Sequence, residues 1–439
     1  MRRFVAPCLA TIVFAACSSG GGSTGDGGTS PDGSILSDGA IPDGYTNPPG
    51  DGSLGSCSGT DVLYKVGKSH LLVGASMEDA TAKSAPFDLR YQYISGGFAD
   101  GSGPCSSCAS GCTAAGKSCA NNAGGCAWWG CWQYDQDPPG GYARNFLGTV
   151  TGDGQIPMIS YYQILQASKV TEGAAEVNTA ANDAALMGRY FADWRFLLQQ
   201  IGQSVVMLHI EPDFWGYAEQ VGSDPHAEPA AVASANATDC ASEENSIAGM
   251  GRCLIAMVRK YAPNALVGLH ASAWAAGPDI GTNTDTQLNV ATYGQQTAAF
   301  LTACGADQAD YIVVEASDRD AGYYQSINVS TWWDDTNQKL PSFHQHFAWA
   351  KALSEAAGKP LVYWQLPLGN MSLPNQTNAW KDNRVDYFFG HTSELAAAHV
   401  VGFAFGAGAG GQTTPESDGG NLVAKVKAYA ASGGQSLCP

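Results

Sequence analysis

Short apolar runs alternate along this chain with longer stretches whose apolar residues recur every three to four positions. The runs predict strands at 70–77, 89–94, 156–164, 205–209, 266–271, 311–316, 361–366 and 400–406. They are apolar on both faces more often than alternating, as in a parallel sheet covered on both sides. The helical periodicity predicts helices over 181–201, 246–261, 287–303, 343–357, 385–398 and 422–430. In the first of these, Met187, Phe191, Trp194 and Leu198 share one face, and Gly202 supplies a stop. Eight strands, with about one helix between each of the last six, predict an α/β fold, a (β/α)8 TIM barrel. A doubly wound open sheet is the alternative, but the glycine fingerprint of a dinucleotide site after the first strand is absent.

Two stretches break the pattern. Residues 18–56 are rich in Gly, Ser, Asp and Pro, with repeated Asp-Gly pairs, and carry too few apolar residues to form a core. The Asp-Gly pairs lack the spaced ligands and closing Glu of a calcium loop. Residues 18–56 are therefore expected to be a flexible linker reaching on the order of 30–40 Å. The barrel domain is expected over 57–439, with an insertion after strand two at about 99–152. That insertion holds Cys105, Cys108, Cys112, Cys119, Cys126 and Cys131, with Trp128, Trp129 and Trp132 among them.

The first 17 residues read as a targeting segment: Arg2 and Arg3, then an apolar run too short to span a bilayer. Phe14-Ala15-Ala16-Cys17 resembles a bacterial lipobox, which implies a lipoprotein signal peptide and lipidation of Cys17. Ser18 stands where an inner-membrane retention Asp would be. The expectation is an exported lipoprotein, anchored to the outer membrane or displayed at the cell surface. Export favours disulfides. Of thirteen cysteines, setting aside Cys8 and Cys17 leaves eleven. Cys57 and Cys438 flank the folded region and make a plausible staple, and Cys240 and Cys253 bracket a polar stretch. Cys304 is left over, and the six clustered cysteines allow too many pairings to choose among.

A net charge of −18 argues against nucleic acid and against direct attraction to anionic membranes. Any membrane contact is expected through the lipid anchor alone, and the chain is expected to be a monomer. No cofactor is expected, and no ligand spacing insists on a metal. The signatures of serine hydrolases, HExxH zinc enzymes and P-loops are all missing.

In a (β/α)8 barrel, chemistry sits where strands end at the C-terminal face. Strand four ends in His209, Glu211, Asp213, Trp215 and Tyr217. Strand two brings Arg90 and strand three Tyr162. Strand five brings His270 and Trp274, strand six Glu315 and Asp318, and strand seven Trp364, Gln365 and Asn370. Carboxylates, aromatic rings and amides around one cup suit a carbohydrate, because sugar rings stack on aromatic faces and their hydroxyls need fixed partners. Glycosidic cleavage needs two carboxyls, one protonated and one ionised. Glu211 is the first candidate, Glu315 its partner and Asp213 the reserve. The remaining strand-end residues are candidate substrate-binding groups. Plainer readings stand beside these: helix capping for the carboxylates, a salt-bridged loop for Asp318-Arg319-Asp320, and near-core packing for His209 and His270.

Ile210-Glu211-Pro212 resembles the Asn-Glu-Pro at the end of strand four in the large retaining clan of glycoside hydrolases. That resemblance implies a barrel with Glu211 as acid/base. The strand-seven glutamate of that clan is replaced here by Gln365, which cannot ionise. Glu211-Pro212-Asp213, Gly268 through Trp274, and Pro415 through Gly419 are similar to three patches of the family-six cellulases. Both resemblances imply a glycoside hydrolase, and neither extends to a family; together with the export reading, the expected substrate is an extracellular or cell-envelope polysaccharide. The rival reading is a non-catalytic carbohydrate-binding or structural surface lipoprotein on the same kind of barrel.

Overall fold

The computed structural model describes Cys57, residues 59–95, Phe98, the backbone of 113–114 and 117–118, and residues 140–437. The predicted signal peptide, Cys17, the linker and the six clustered cysteines lie outside the described residues.

Eight parallel strands close into a barrel. They are β1 (Leu72–Ala75), β2 (Leu89–Ile94), β3 (Ile156–Tyr161), β4 (Met207–Ile210), β5 (Leu266–Ala271), β6 (Tyr311–Glu315), β7 (Leu361–Leu366) and β8 (Val400–Phe405). Each pairs with its neighbours in sequence, and β1 closes the ring on β8, with Leu72 opposite Gly402. The predicted (β/α)8 barrel is present. β2, β5 and β7 match their predicted ranges, and the others are shorter by one to four residues. β4 starts at Met207 rather than Val205, which is exposed.

Local chemistry explains the helix ends. Asp183 caps helix Ala184–Ile201 by accepting from the N–H groups of Ala185 and Leu186. Ser246 and Ser342 do the same for helices Ile247–Tyr261 and Phe343–Ala357. Gly358, at φ 67°, ends the last of these in a left-handed turn open to glycine. The predicted 385–398 helix is two, Arg384–Gly390 and Thr392–Ala397, broken at His391.

Helix Ala184–Ile201 shows how the shell holds the barrel. Met187, Tyr190, Phe191, Trp194, Leu197 and Leu198 are buried on its inner face, each side chain contributing roughly 1.5–3 kcal/mol. The Trp194 indole N–H donates to Leu254 O in helix Ile247–Tyr261, and Asp193 accepts from the Tyr161 hydroxyl at the end of β3.

Cys240 and Cys253 form a disulfide in the connection from β4 to β5. Cys57 is also disulfide-bonded, and Cys438 lies outside the described residues. Cys304 is free and buried. Among the described residues, no helix is long and apolar enough to cross a membrane.

Candidate active site

The chain leaves β4 through a sharp turn. Glu211 and Asp213 both take positive φ, 46° and 66°, on either side of Pro212. Two non-glycine residues in the left-handed region so close together are costly and characteristic of built sites. The turn sends the two carboxyls in different directions. Glu211 is fully buried. Its Oε1 accepts from the backbone N–H of Gln163 at 3.0 Å and of Ile164 at 3.3 Å, just beyond β3. Burial pushes it up to about 8, against the opposing pull of those N–H donors. It therefore braces the turn after β3 and is closed off from solvent.

Asp213 points the other way. It precedes helix Phe214–Val221, yet its side chain makes no capping bond. One of its oxygens, one oxygen of Glu315 and one ring nitrogen of His270 all lie within 4.8 Å of one another. Both carboxyls are half-buried. Burial pushes Asp213 up to about 7, with added repulsion from Glu172 and Asp318. Burial raises Glu315 as well, with added repulsion from Asp213, Asp318 and Asp279, while a bond from the Trp274 indole favours its charged form.

The floor beneath the pair is aromatic. Trp364 packs against Tyr91, Tyr93, His209 and His270, with ring centroids 6.0, 5.7, 4.7 and 5.8 Å away. His209 is bonded to Ser160 Oγ at 3.2 Å and to His270 Nδ1 at 3.1 Å. Burial holds both imidazoles neutral, His270 down at about 3. Three polar atoms here are buried without a hydrogen-bond partner among the described residues: His270 Nε2, Tyr91 Oη and Trp364 Nε1. Unpaired buried polar atoms in a mouth are what a polar ligand would satisfy.

The rim combines rings and carboxylates. Tyr217 packs on Trp274 at 4.7 Å, and its hydroxyl donates to Glu172. Asp318 is held by Arg319 and the Tyr324 hydroxyl. The salt-bridged reading of this loop thus holds for Asp318. Gln365, at φ 54°, accepts from the Tyr93 hydroxyl. Tyr162 is half-buried beside Asp213 and Glu172. The loop after β8 comes close, since a Cβ on Gly408 would lie 1.9 Å from Asp318 O and 2.7 Å from Gln365 Nε2.

Besides Glu211, three of the anticipated residues are placed away from the cup. Tyr91 and Tyr93 face inward, so strand alternation turns Arg90 outward. It pairs with Asp79 in a groove lined by Gln92, Tyr142 and Asn145. Trp215 is buried, with its indole N–H donating to Ile210 O. Asn370 donates to Asp418 O and accepts from Ser372, bracing one loop against another. Glu172 and Glu176 were not anticipated. They follow β3 in a polar stretch that ends in a π-helical turn, Glu176–Ala180, and such turns are frequent at functional sites. Nothing in the spacing of that stretch marks it.

No family model matches the chain, and no curated protein matches it. Among solved structures it is similar to a modular endo-β-1,4-mannanase of glycoside hydrolase family 26 from Cellulomonas fimi, at 11% identity and TM-score 0.44, over 86% of this chain and 76% of that one. It is similar to a family 5 mannosidase from Rhizomucor miehei, at 10% and 0.42, over 82% and 92%. A third is the endoglucanase Cel6 from Mycobacterium tuberculosis, at 15% and 0.28, over 51% of this chain and 56% of that one. These three neighbours are glycoside hydrolases. Identities this low reach no further than the barrel, and the chemistry is read from the site itself.

Proposed function

We propose that the protein is a glycoside hydrolase acting on a neutral polysaccharide, with Asp213 and Glu315 as its two carboxyls. The observation that carries this reading is their pairing: two half-buried carboxyls within 4.8 Å, both raised, over an aromatic floor. Two such groups do not ionise together easily, so one proton is shared across the pair near neutral pH. The protonated carboxyl, which we assign to Glu315, donates its proton to the leaving glycosidic oxygen. Asp213 attacks the anomeric carbon as that bond breaks, forming a glycosyl ester. Glu315, now ionised, takes a proton from water, whose oxygen displaces Asp213 and releases the sugar. Trp274 and Tyr217 offer faces for sugar rings. The surplus of carboxylates in the mouth favours a neutral glycan over an acidic one.

We further propose that the protein acts at the cell envelope, tethered through Cys17. Support for this is the charged and apolar pattern of residues 1–17 and the lipobox-like Phe14-Ala15-Ala16-Cys17.

The test is release of new reducing ends from a panel of neutral glucans, mannans, xylans and galactans at pH 5–8. Cleavage of at least one is expected. Binding to a glycan without any release would favour the non-catalytic reading that Gln365 keeps open.

A further inference from the structure

Asp213 follows β4, His270 lies on β5 and Glu315 ends β6, so three adjacent strands deliver three donor atoms to one point. The imidazole is prepared for a ligand. His270 is fully buried, its Nδ1 is engaged by His209, and its Nε2 has no hydrogen-bond partner among the described residues. When His270 Nδ1–H donates to His209 Nε2, the free Nε2 keeps a lone pair for a ligand. A metal-ligating histidine is held in the same way, with its other ring N–H bonded to a second group that fixes ring and tautomer. Here Ser160, on the far side of His209, continues the support.

We propose that Asp213, His270 and Glu315 form a site for a divalent first-row transition cation, with Zn2+ the best fit, and that bound cation and glycan exclude each other. Two carboxylate oxygens and one imidazole nitrogen suit zinc, leaving a fourth position for water. Magnesium and calcium prefer oxygen-only sets of six or more. Bond lengths of about 2.0–2.2 Å put ligand atoms roughly 3.4 Å apart in a tetrahedral site. The donors, within 4.8 Å of one another, therefore need a closure of at most about 1.4 Å by side-chain rotation. Asp318 and Glu172 nearby add negative potential. Exclusion rests on the glycosidase reading, which gives the same two carboxyls to the substrate, whereas cation binding does not.

The test is calorimetric titration of Zn2+, against a competing chelator, into wild type, His270→Gln, His209→Gln and Asp213→Asn. One ion per chain is expected, weakened more than ~100-fold by His270→Gln or Asp213→Asn. His209→Gln, which removes only the supporting group, is expected to weaken it roughly 10–100-fold. Mg2+ should give no heat. The surface pairs His226–Glu244, His344–Glu394 and His399–Glu355 offer other attachments. Zinc binding left unchanged by both His270→Gln and Asp213→Asn would place the ion there and overturn the site. Zinc should also inhibit hydrolysis competitively, raising KM with kcat unchanged. Hydrolysis that proceeds at full rate with the site saturated overturns exclusion. If no glycan is cleaved yet zinc binds through His270, the glycosidase reading falls with its exclusion corollary, and the cation site stands.

Discussion

Asp213→Asn and Glu315→Gln are each expected to lower kcat/KM on a cleaved glycan by 10²–10⁴-fold or more, the range for a positioned acid–base group. Glu211→Gln is expected to leave it within about threefold. The difference follows from where the side chains go. Asp213 and Glu315 face each other in the mouth, while Glu211 is turned behind it onto the N–H groups of Gln163 and Ile164. The sequence motif alone would rank Glu211 first, so the three variants separate motif from geometry. Initial rates of reducing-end release on variants with matched far-UV spectra decide it.

Glu211→Gln should instead show itself in stability. A carboxyl whose native pKa is raised to about 8 holds its proton longer when folded than when unfolded. Its contribution is fully present below the unfolded value and is lost as pH climbs toward and through 8. Gln keeps the acceptor oxygen and has no such loss. The variant's unfolding free energy from urea titration should exceed wild type at pH 8.5, by a difference on the order of a few kcal/mol, and the two should converge near pH 4. Glu176, also raised to about 8 by burial, remains in both proteins and leaves a residual slope.

The second large effect is structural. Arg384→Ala is expected to cost ~3–5 kcal/mol, the usual cost of breaking a buried ion pair from one side. Arg384 and Asp382 are both completely buried. The guanidinium donates to Asp382 at 2.8 Å and to Thr331 O at 2.7 Å, and lies 4.6 Å over the Trp333 ring. Asp382 also accepts from the Ala321 N–H. Beside it, Asp320 accepts from Gly369 and Thr413. The cluster thus ties together the loops after β6, β7 and β8, which carry much of the site's rim. Without the guanidinium, two buried carboxyls face each other uncompensated. Burial and Asp382 already push Asp320 up to about 7, so the loss should be smaller at pH 5, where Asp320 takes a proton. Urea midpoints at pH 5 and pH 8 measure both points, and an unchanged midpoint at pH 8 would remove the pair from the account of stability.

The barrel was legible because eight doubly apolar runs and intervening helical periodicity leave few alternatives. The capping residues Asp183, Ser246 and Ser342 are ordinary signals that the sequence carries openly. The site was legible at the level of strand ends: Asp213, His270, Glu315, Trp274 and Trp364 do meet there. What the pattern could not supply was direction. Positive φ at Glu211 and Asp213 is invisible in a string, and it decides which carboxyl faces the cup. Arg90 was misplaced for a simpler reason, since two tyrosines of the same parity already fill the interior of β2. Trp215 and Asn370 sit at strand ends yet fold back onto backbone carbonyls. Glu172 and Glu176 come from a connection with no periodicity, so only the fold brings them near.

The most direct measurement of the central claim is the stereochemical course of hydrolysis, followed by proton NMR on a cleaved glycan. Carboxyl oxygens of Asp213 and Glu315 within 4.8 Å fall on the close side of the two known spacings, about 5–5.5 Å for retention and ~6.5–9.5 Å for inversion. The first-formed anomer should therefore keep the configuration of the bond cleaved. An inverted first product would require a water between more distant carboxyls and would contradict Asp213 and Glu315 as the catalytic pair.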